Sequence, residues 1–437
     1  MDLLQPLAEA GFTTYIVGPS ALDIYFGQRK GRKGTAGGIS IRDVHILWVE
    51  TEASLVDLSR LFDGISFPGA EFFDAMLDEE GCLVMFHCIE PGELGQPGEA
   101  SELGAAGKAG TTAQNSIQGT RQSTLQGAFR FELCRGVFQD PYGAYPYLRG
   151  RELRVPEGAD MYASAFSIME AALLMARFGY TLPGAETAAE TAGRSAAGTA
   201  AETAGKNSVG SAGVTSAGTA FDKQGAAGRL SAMEQRFLLT GIITGAHSAS
   251  ALQFLMDSGF IAAHWPLLAE MDSVHHSKEF HPEGNVWKHT LETFSHRKVY
   301  ELALGLGLLL HDCGKSYAQP QGGNRFDQHA QIGSHKAGDF LYKMQFPHDV
   351  IEAVEYLVRH HMMPSAVESL PTFRTEEVMA SPLFPELLEL YRCDVSSTFR
   401  GPDGYYQACK TYRSFLKNRR NPFRTSDGKK RLRLLVE

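Results

Sequence analysis

The chain has 437 residues, of which 43% are hydrophobic and 21% charged, and its formal net charge is −9. That length holds two or three domains, and the composition is that of a globular protein, not a disordered or collagenous one. The acid excess gives no global nucleic-acid field, and the longest apolar run, near Leu302–Leu310, is about half of what a membrane span needs.

In chain order, Tyr15-Ile16-Val17-Gly18 and Val44-His45-Ile46-Leu47-Trp48-Val49 are β-rich runs bounded by turn residues. Leu55 to Phe62 has helical spacing, and polar inserts fall at Gln28–Gly38 and near Gly92–Gly119. From about Ala159 the pattern is helical, with Phe166, Ile168, Met169, Leu173, Leu174 and Ala176 on compatible faces. Gly184 to Gly228 is built of Ala, Gly, Thr, Ser and Glu, cannot bury a core and reads as a disordered insertion. Helical periodicity resumes at Ser231, with loops near Ser273–Gly284, Ser316–Asp327 and Ala366–Thr375.

The expected organisation is a head over 1–158, a helical neck over 159–271 interrupted by 184–228, an all-α domain over 272–400 and a basic tail over 401–437. Within Lys410–Arg433 the cations Lys417, Arg419, Arg420, Arg424, Lys429, Lys430 and Arg431 alternate with Tyr412, Phe415 and Phe423. Such a run reads first as a solvated surface and second as an RNA or phosphate footprint. Cysteines 82, 88, 134, 313, 393 and 409 form no C-x-x-C pair, and Met1-Asp2-Leu3-Leu4 lacks a basic n-region. Reduced thiols and a cytoplasmic setting are therefore expected.

The most informative residues are His311-Asp312-Cys313-Gly314-Lys315, which end the apolar run Leu302–Leu310. A histidine and an aspartate there are costly unless something occupies them, and a divalent cation removes that cost. His289 lies upstream, and His329, His360, His361 and Asp394 lie downstream. Imidazole with carboxylate suits Mn, Fe, Ni, Co or Zn better than Ca, and Mg is kept as a further candidate.

This order resembles the HD superfamily of metal-dependent phosphohydrolases, with His329 and Gly333 matching its H-x-x-x-G. The resemblance implies that His289, His311, Asp312 and Asp394 hold one ion. A second ion would involve His329, His360 and His361, with Asp312 bridging and Lys315 meeting phosphate as a point charge. Asp312 and Lys315 are thus the candidate catalytic residues. Asp403, in Gly401-Pro402-Asp403-Gly404, reads as part of a plain turn. His335 reads as a surface or supporting residue, and His275, His276 and His281 as loop residues.

The first half resembles the head and neck of tRNA nucleotidyltransferases and bacterial poly(A) polymerases over roughly 8–180, continuing into 231–271. The family's GGxxRDxLLG meets Gly18-Pro19-Ser20-Ala21-Leu22-Asp23-Ile24-Tyr25-Phe26-Gly27, keeping Gly18, Asp23 and Gly27 but losing the arginine to Leu22. The family's D-x-D meets Asp43-Val44-His45, and histidine is a poor Mg²⁺ ligand. Its RDFTxNA meets the segment Arg121–Ala128 with only the arginine, threonine and alanine in place. Asp140-Pro141-Tyr142-Gly143, Leu148 and Arg154 match well, while two neck arginines become Glu170 and Leu173. A rescue would need another carboxylate, such as Asp74 or Glu132, to reach Asp43 in space.

The fold expected is α+β: a mixed-sheet nucleotidyltransferase-like head, a helical neck and an all-α HD domain. The leading functional expectation is an HD phosphohydrolase, with one or two divalent ions, acting on a nucleotide or RNA-end phosphate ester. It is carried on a head whose transferase site, Gly18, Asp23, Asp43, His45 and Arg121, is degenerate. The alternatives are an active tRNA nucleotidyltransferase or poly(A) polymerase with an accessory HD domain, and a non-enzymatic RNA-binding protein. Possible contact with tRNA through neck and tail, and no membrane partner, complete the expectations.

Overall fold

The β-branched and aromatic runs of the first half pair into one six-stranded mixed sheet. In this computed structural model the described residues are 2–29, 45–79, 81–90, 124–150, 152–156, 160–183, 229–275, 284–318, 320–321, 325–326, 328–398 and 401–420. The strands are β1 (Thr14–Val17), β2 (Ile46–Thr51), β3 (Ala75–Glu79), β4 (Cys82–Cys88), β5 (Arg130–Glu132) and β6 (Val137–Gln139). Their order is β3-β4-β2-β1-β5-β6, with β2 and β4 parallel and the other neighbours antiparallel.

Alternation along the strands gives the sheet two faces. Ile16, Leu47, Val49, Val84, Phe86 and Phe131 share one core with Leu4, Leu7, Ile24 and Leu58. Of these, Leu7 comes from α1 (Gln5–Glu9), Ile24 from α2 (Gly18–Arg29) and Leu58 from α3 (Leu55–Leu61). Trp48 points the other way, its ring 4.9 Å from Phe166 and 5.4 Å from Phe73, which in turn lies 5.7 Å from Phe237. Phe166 and Phe237 belong to α4 (Ala165–Phe178) and α5 (Ala232–Ile243), and α6 (Ser248–Asp257) follows.

Caps set these helices where the sequence supplies them. Ser231 and Glu234 form a capping box on α5, and the Glu234 carboxylate also accepts the Phe72 N–H at 2.9 Å. Ser164 caps α4, and Gly179 ends it in the left-handed conformation at φ 70°. The expected insertion 184–228 lies outside the described residues, as do Asp43 and Arg121.

The chain divides into two compact units, Met1–Phe260 and Ile261–Glu437. The described elements of the second unit are helical apart from the two-residue pair Pro320–Gln321 and Arg325–Phe326. After the short helix from Phe260 to His264 come α7 (Pro266–Ser273), α8 (Val286–Ser295), α9 (Leu302–Leu310), α10 (His329–Lys343), α11 (His348–His360), α12 (Thr372–Ala380), α13 (Phe384–Ser396) and α14 (Asp403–Arg419). Helix α9 reads LALGLGLLL and is buried from Leu304 to Leu310, as a helix apolar all round must be. A Cβ on its Gly307 would lie 3.0 Å from Leu357 of α11 and 3.1 Å from Leu390 of α13, so the missing side chain lets both helices close on it.

Two loop expectations need correction. The loop expected over Ala366–Thr375 gives way to α12 from Thr372, directly after Pro371. Asp403 opens α14 instead of sitting in a plain turn, and the sequence expected as a tail is helical to Arg419. The reason is an apolar stripe among the cations: Ala408 and Phe415 are buried, and Tyr412 meets Phe384 of α13 at 4.6 Å between ring centroids.

Candidate metal centre

Four helix ends and one helix interior bring the candidate ligands together. Asn285 caps α8 by accepting the Lys288 N–H at 2.8 Å, which sets His289 one turn into the helix. His311 follows the last residue of α9, Asp312 comes next, and His329 is the first residue of α10. His361 follows α11, and Asp394 lies in the last turn of α13.

Two triads result. His289, His311 and Asp394 form one, and Asp312, His329 and His361 the other, with ligand atoms in each lying within 4.8 Å of one another. Asp312 stands between them. Its Oδ2 is 3.4 Å from His311 Nε2 and 3.9 Å from His289 Nε2, while Oδ1 is 3.6 Å from His329 Nε2 and 3.7 Å from His361 Nε2. Ligand atoms each about 2.1 Å from one ion lie roughly 3.0–3.5 Å apart at octahedral or tetrahedral angles. The 3.1 Å separations His289 Nε2–Asp394 Oδ1 and His329 Nε2–His361 Nε2 fall in that range.

Proton bookkeeping points the imidazole lone pairs inward. His311 Nδ1–H donates to the Leu308 carbonyl at 2.8 Å and His361 Nδ1–H to the Val358 carbonyl at 2.7 Å. Ser397 Oγ–H donates to the Asp394 carbonyl at 2.6 Å, leaving its oxygen to accept His289 Nδ1–H at 3.2 Å. Each Nε2 is then a lone pair, the arrangement that metal-binding histidines use. His311 Nε2 is buried with no hydrogen-bond partner among the described residues. A buried nitrogen of that kind fits a cation and is otherwise a cost.

Charge agrees with this donor set. Burial opposes ionisation of Asp312, yet Lys315 and then His311, His329 and His361 hold its carboxyl well below the usual range. Burial also opposes ionisation of Asp394, and His289 beside it, in its protonated form, outweighs burial and lowers that carboxyl too. Burial pushes the His361 imidazole down to about 3, which keeps it neutral for coordination. Lys315 Nζ donates to Asp312 Oδ2 at 2.6 Å.

One expected ligand does not join. His360 belongs to neither triad, and its ring packs on Tyr356 at 4.9 Å. The residue after it continues the buried face of Val354, Leu357 and Val358, and neighbours on a helix point about 100° apart. His335 is exposed, and His275 Nδ1 meets the Ser273 carbonyl at 3.1 Å, while His276 and His281 lie outside the described residues. Ser397, three residues after Asp394, is the orienting residue that sequence reading missed; the i, i+3 spacing is its only signal.

In the first unit, Gly18 opens α2 at φ 59°. Asp23 pairs with Arg177 at 2.6 Å, and burial raises its carboxyl against that partner. Leu22 and Leu173 are fully buried, and Glu170 accepts the Thr124 N–H at 3.1 Å. A Cβ at Gly127 would lie 1.6 Å from Glu170 Oε1 and 2.9 Å from Thr124 Oγ1, so a side chain there would displace the Glu170 carboxylate. His45 precedes β2, and its carbonyl accepts the Leu83 N–H at 2.9 Å. Asp74 is held by His87 at 2.7 Å, and Glu132 by Gln139 at 2.7 Å.

No family model matches the chain. Over 170 residues it is 29% identical to the CC-adding tRNA nucleotidyltransferase of Thermus thermophilus. That links the two by sequence. The match covers 37% of this chain and spans only 38% of that relative's length. Among solved structures, a Bacillus stearothermophilus CCA-adding enzyme in complex with CTP aligns over 95% of this chain and 81% of its own, with 14% identity and a TM-score of 0.45. A Thermotoga maritima CCA-adding enzyme complexed with tRNA covers the same shares, with 12% identity and a TM-score of 0.40. Among the described residues no helix is long and apolar enough to cross a membrane.

Proposed function

We propose that the second unit is a metal-dependent phosphohydrolase of the HD kind, acting on a phosphate ester of a nucleotide or an RNA end. The observation carrying this is the Asp312 carboxylate standing between two His-rich triads, beside the buried His311 Nε2. His289, His311 and Asp394 would hold one ion and His329 and His361 a second, with Asp312 shared. Divalent ions there supply Lewis acidity, neutralising phosphoryl oxygens and activating water near neutral pH. Ser397, Leu308 and Val358 hold three imidazoles in the ligating tautomer, a task that must be complete before substrate arrives. Lys315, now on Asp312, is placed to turn its charge to a phosphate oxygen. His329 and Asp394, with side chains 13% and 18% exposed, mark the open side from which an ester can approach.

An RNA partner is supported by α14, where Tyr406, Lys410, Arg413 and Lys417 are exposed at helical spacing, unpaired by acid among the described residues. Free cysteines at all six positions support a cytoplasmic setting.

The test is hydrolysis of p-nitrophenyl phosphate and 2′,3′-cyclic nucleotides across Mn²⁺, Ni²⁺, Co²⁺ and Mg²⁺. Turnover should vanish in His311→Ala and Asp312→Ala together with metal retention, and full activity in either variant refutes the proposal. A second reading, nucleotide transfer to tRNA, is favoured by the 29% identity to the CC-adding relative. It requires incorporation of labelled CTP or ATP that Asp43→Ala abolishes. The burial of Leu22, Glu170 and Leu173 speaks for a head that has lost this activity.

A further inference from the structure

The turn that carries Asp312 and the helix that begins with His329 meet backbone to backbone. The contact is made by two glycines, Gly314 in the 3-10 turn Cys313–Ser316 and Gly333 in the second turn of α10. A Cβ at Gly314 would lie 2.0 Å from the His329 carbonyl oxygen, 2.6 Å from Gly333 N and 2.8 Å from Gly333 Cα. All three are main-chain atoms, so no rotamer change relieves them. In the other direction the fit is looser: a Cβ at Gly333 would be 3.1 Å from Gly314 N and 3.3 Å from Val358 Cγ1. Cys313 Sγ adds a weak bond to the Gly333 carbonyl at 3.5 Å.

We infer that Gly314 is a positioning residue that sets His329 against Asp312 and His361, and thereby decides whether the second triad takes an ion. The inference rests on the metal reading above. Normal carbon contacts need about 3.5–4 Å, so any side chain at 314 must drive the start of α10 and the 313–316 turn apart by more than an ångström. The turn is tied to α9, whose residues Leu304 to Leu310 are buried, so the start of α10 is the part that gives way. His329 is the first residue of that helix, only 3.6 Å from Asp312 and 3.1 Å from His361. The first triad draws on α8, the end of α9 and α13, and takes no ligand from the displaced pieces. Should the turn move instead, Asp312 moves with it, and the second triad loses its carboxylate while the first keeps His289, His311 and Asp394.

The same helix supplies a control. A Cβ at Gly338 of α10 would meet only the Glu355 side chain, at 2.0 Å from Oε1, 2.9 Å from Cδ and 3.3 Å from Cγ, and a carboxylate end can swing aside. Gly338→Ala therefore disturbs the contact of α10 with α11 without moving His329.

The experiment titrates the full chain, stripped of metal, with Ni²⁺ and with Mn²⁺ by calorimetry, and counts bound ions after gel filtration. Wild type and Gly338→Ala should bind two ions. Gly314→Ala should bind one, with the affinity of the remaining ion within about twofold of wild type. Gly333→Ala should bind two, the second weakened about tenfold or more. Two ions at wild-type affinity in Gly314→Ala overturn the inference, as does loss of both ions in a variant that still melts cooperatively. If Gly314→Ala does not fold, Gly333→Ala decides alone, and an unchanged second affinity overturns the inference. A wild type that binds a single ion also overturns it. A wild type that binds none refutes the metal reading itself, and the role of Gly314 falls with it.

Discussion

Ser397 offers the sharpest test of the first triad. Its hydroxyl donates to the Asp394 carbonyl at 2.6 Å and so presents a lone pair to His289 Nδ1 at 3.2 Å. Ser397→Ala removes that acceptor from a side chain that is 8% exposed, where water cannot readily replace it. His289 then gains by shifting its proton to Nε2 and donating to Asp394 Oδ1, 3.1 Å away. The lone pair that would bind an ion turns into a donor, and one triad loses a ligand while Asp394 is drawn into a hydrogen bond. Loss of an orienting partner of this kind typically lowers metal affinity about 10- to 100-fold, or about 1.4–2.7 kcal/mol. Ser397→Thr keeps the hydroxyl and should retain most of the affinity. Calorimetric titration with Ni²⁺ reads the effect, which must fall on one ion while the ion at Asp312, His329 and His361 is spared. A Ser397→Ala protein that binds both ions within twofold of wild type refutes the tautomer argument.

The remaining predictions follow from the same geometry. Chelation should lower the melting temperature of the second unit. An ion present at 100 times its Kd contributes about 2.7 kcal/mol, roughly 5–10 °C for a domain of this size, so scanning calorimetry with and without EDTA giving one melting temperature contradicts metal binding. Burial pushes the thiols of Cys82, Cys313 and Cys393 up to about 12, so iodoacetamide at pH 8.5 should leave all three unmodified in the native protein while labelling exposed Cys134. Peptide mapping that finds Cys313 labelled before unfolding contradicts the packing described. For α14, Lys410→Ala with Arg413→Ala should reduce the salt slope of log K for single-stranded RNA by about 1.4, two phosphate contacts' worth. An unchanged slope removes RNA from that face.

The proximity of the candidate ligands was legible because they are particular residue types at helix ends, and those ends carry their own signals. Asn285 as a cap, the glycine after Cys313 and the apolar run before His311 place three ligands with no knowledge of the packing. The choice between His360 and His361 was also written in the chain, in the phase of Val354, Leu357 and Val358, but reading it requires carrying that phase past the last helical turn. Ser397 was not legible, because a serine in a helix ordinarily bonds its own backbone, and only the proximity of α8 to α13 turns that into support for His289. The helix α14 was hidden by composition: its cations outnumber the Ala408 and Phe415 that anchor it. In the head, the strands of the sheet followed from β-branched runs, whereas the Glu170 contact to Thr124 joins residues 46 positions apart and leaves no local trace.

The two halves differ in where imidazoles and carboxylates gather, and that difference is the physical motive for proposing chemistry in the second. In the first unit the residues at which the sequence differs from the pattern it resembles are packed into the structure. Leu22 and Leu173 lie in the core, Glu170 accepts a backbone N–H, and the Glu170 carboxylate fills the space that a Cβ at Gly127 would take. An arginine at position 22, 170 or 173 would bury a guanidinium among neighbours already fitted to something else, at a cost of several kcal/mol. In the second unit the reverse holds. Three imidazoles are held with lone pairs facing inward around two carboxylates, and His311 Nε2 has no hydrogen-bond partner among the described residues. Such a cluster is costly to bury, and a cation would offset that cost. The donor set of imidazole and carboxylate fits a divalent cation better than it fits any group the chain itself supplies.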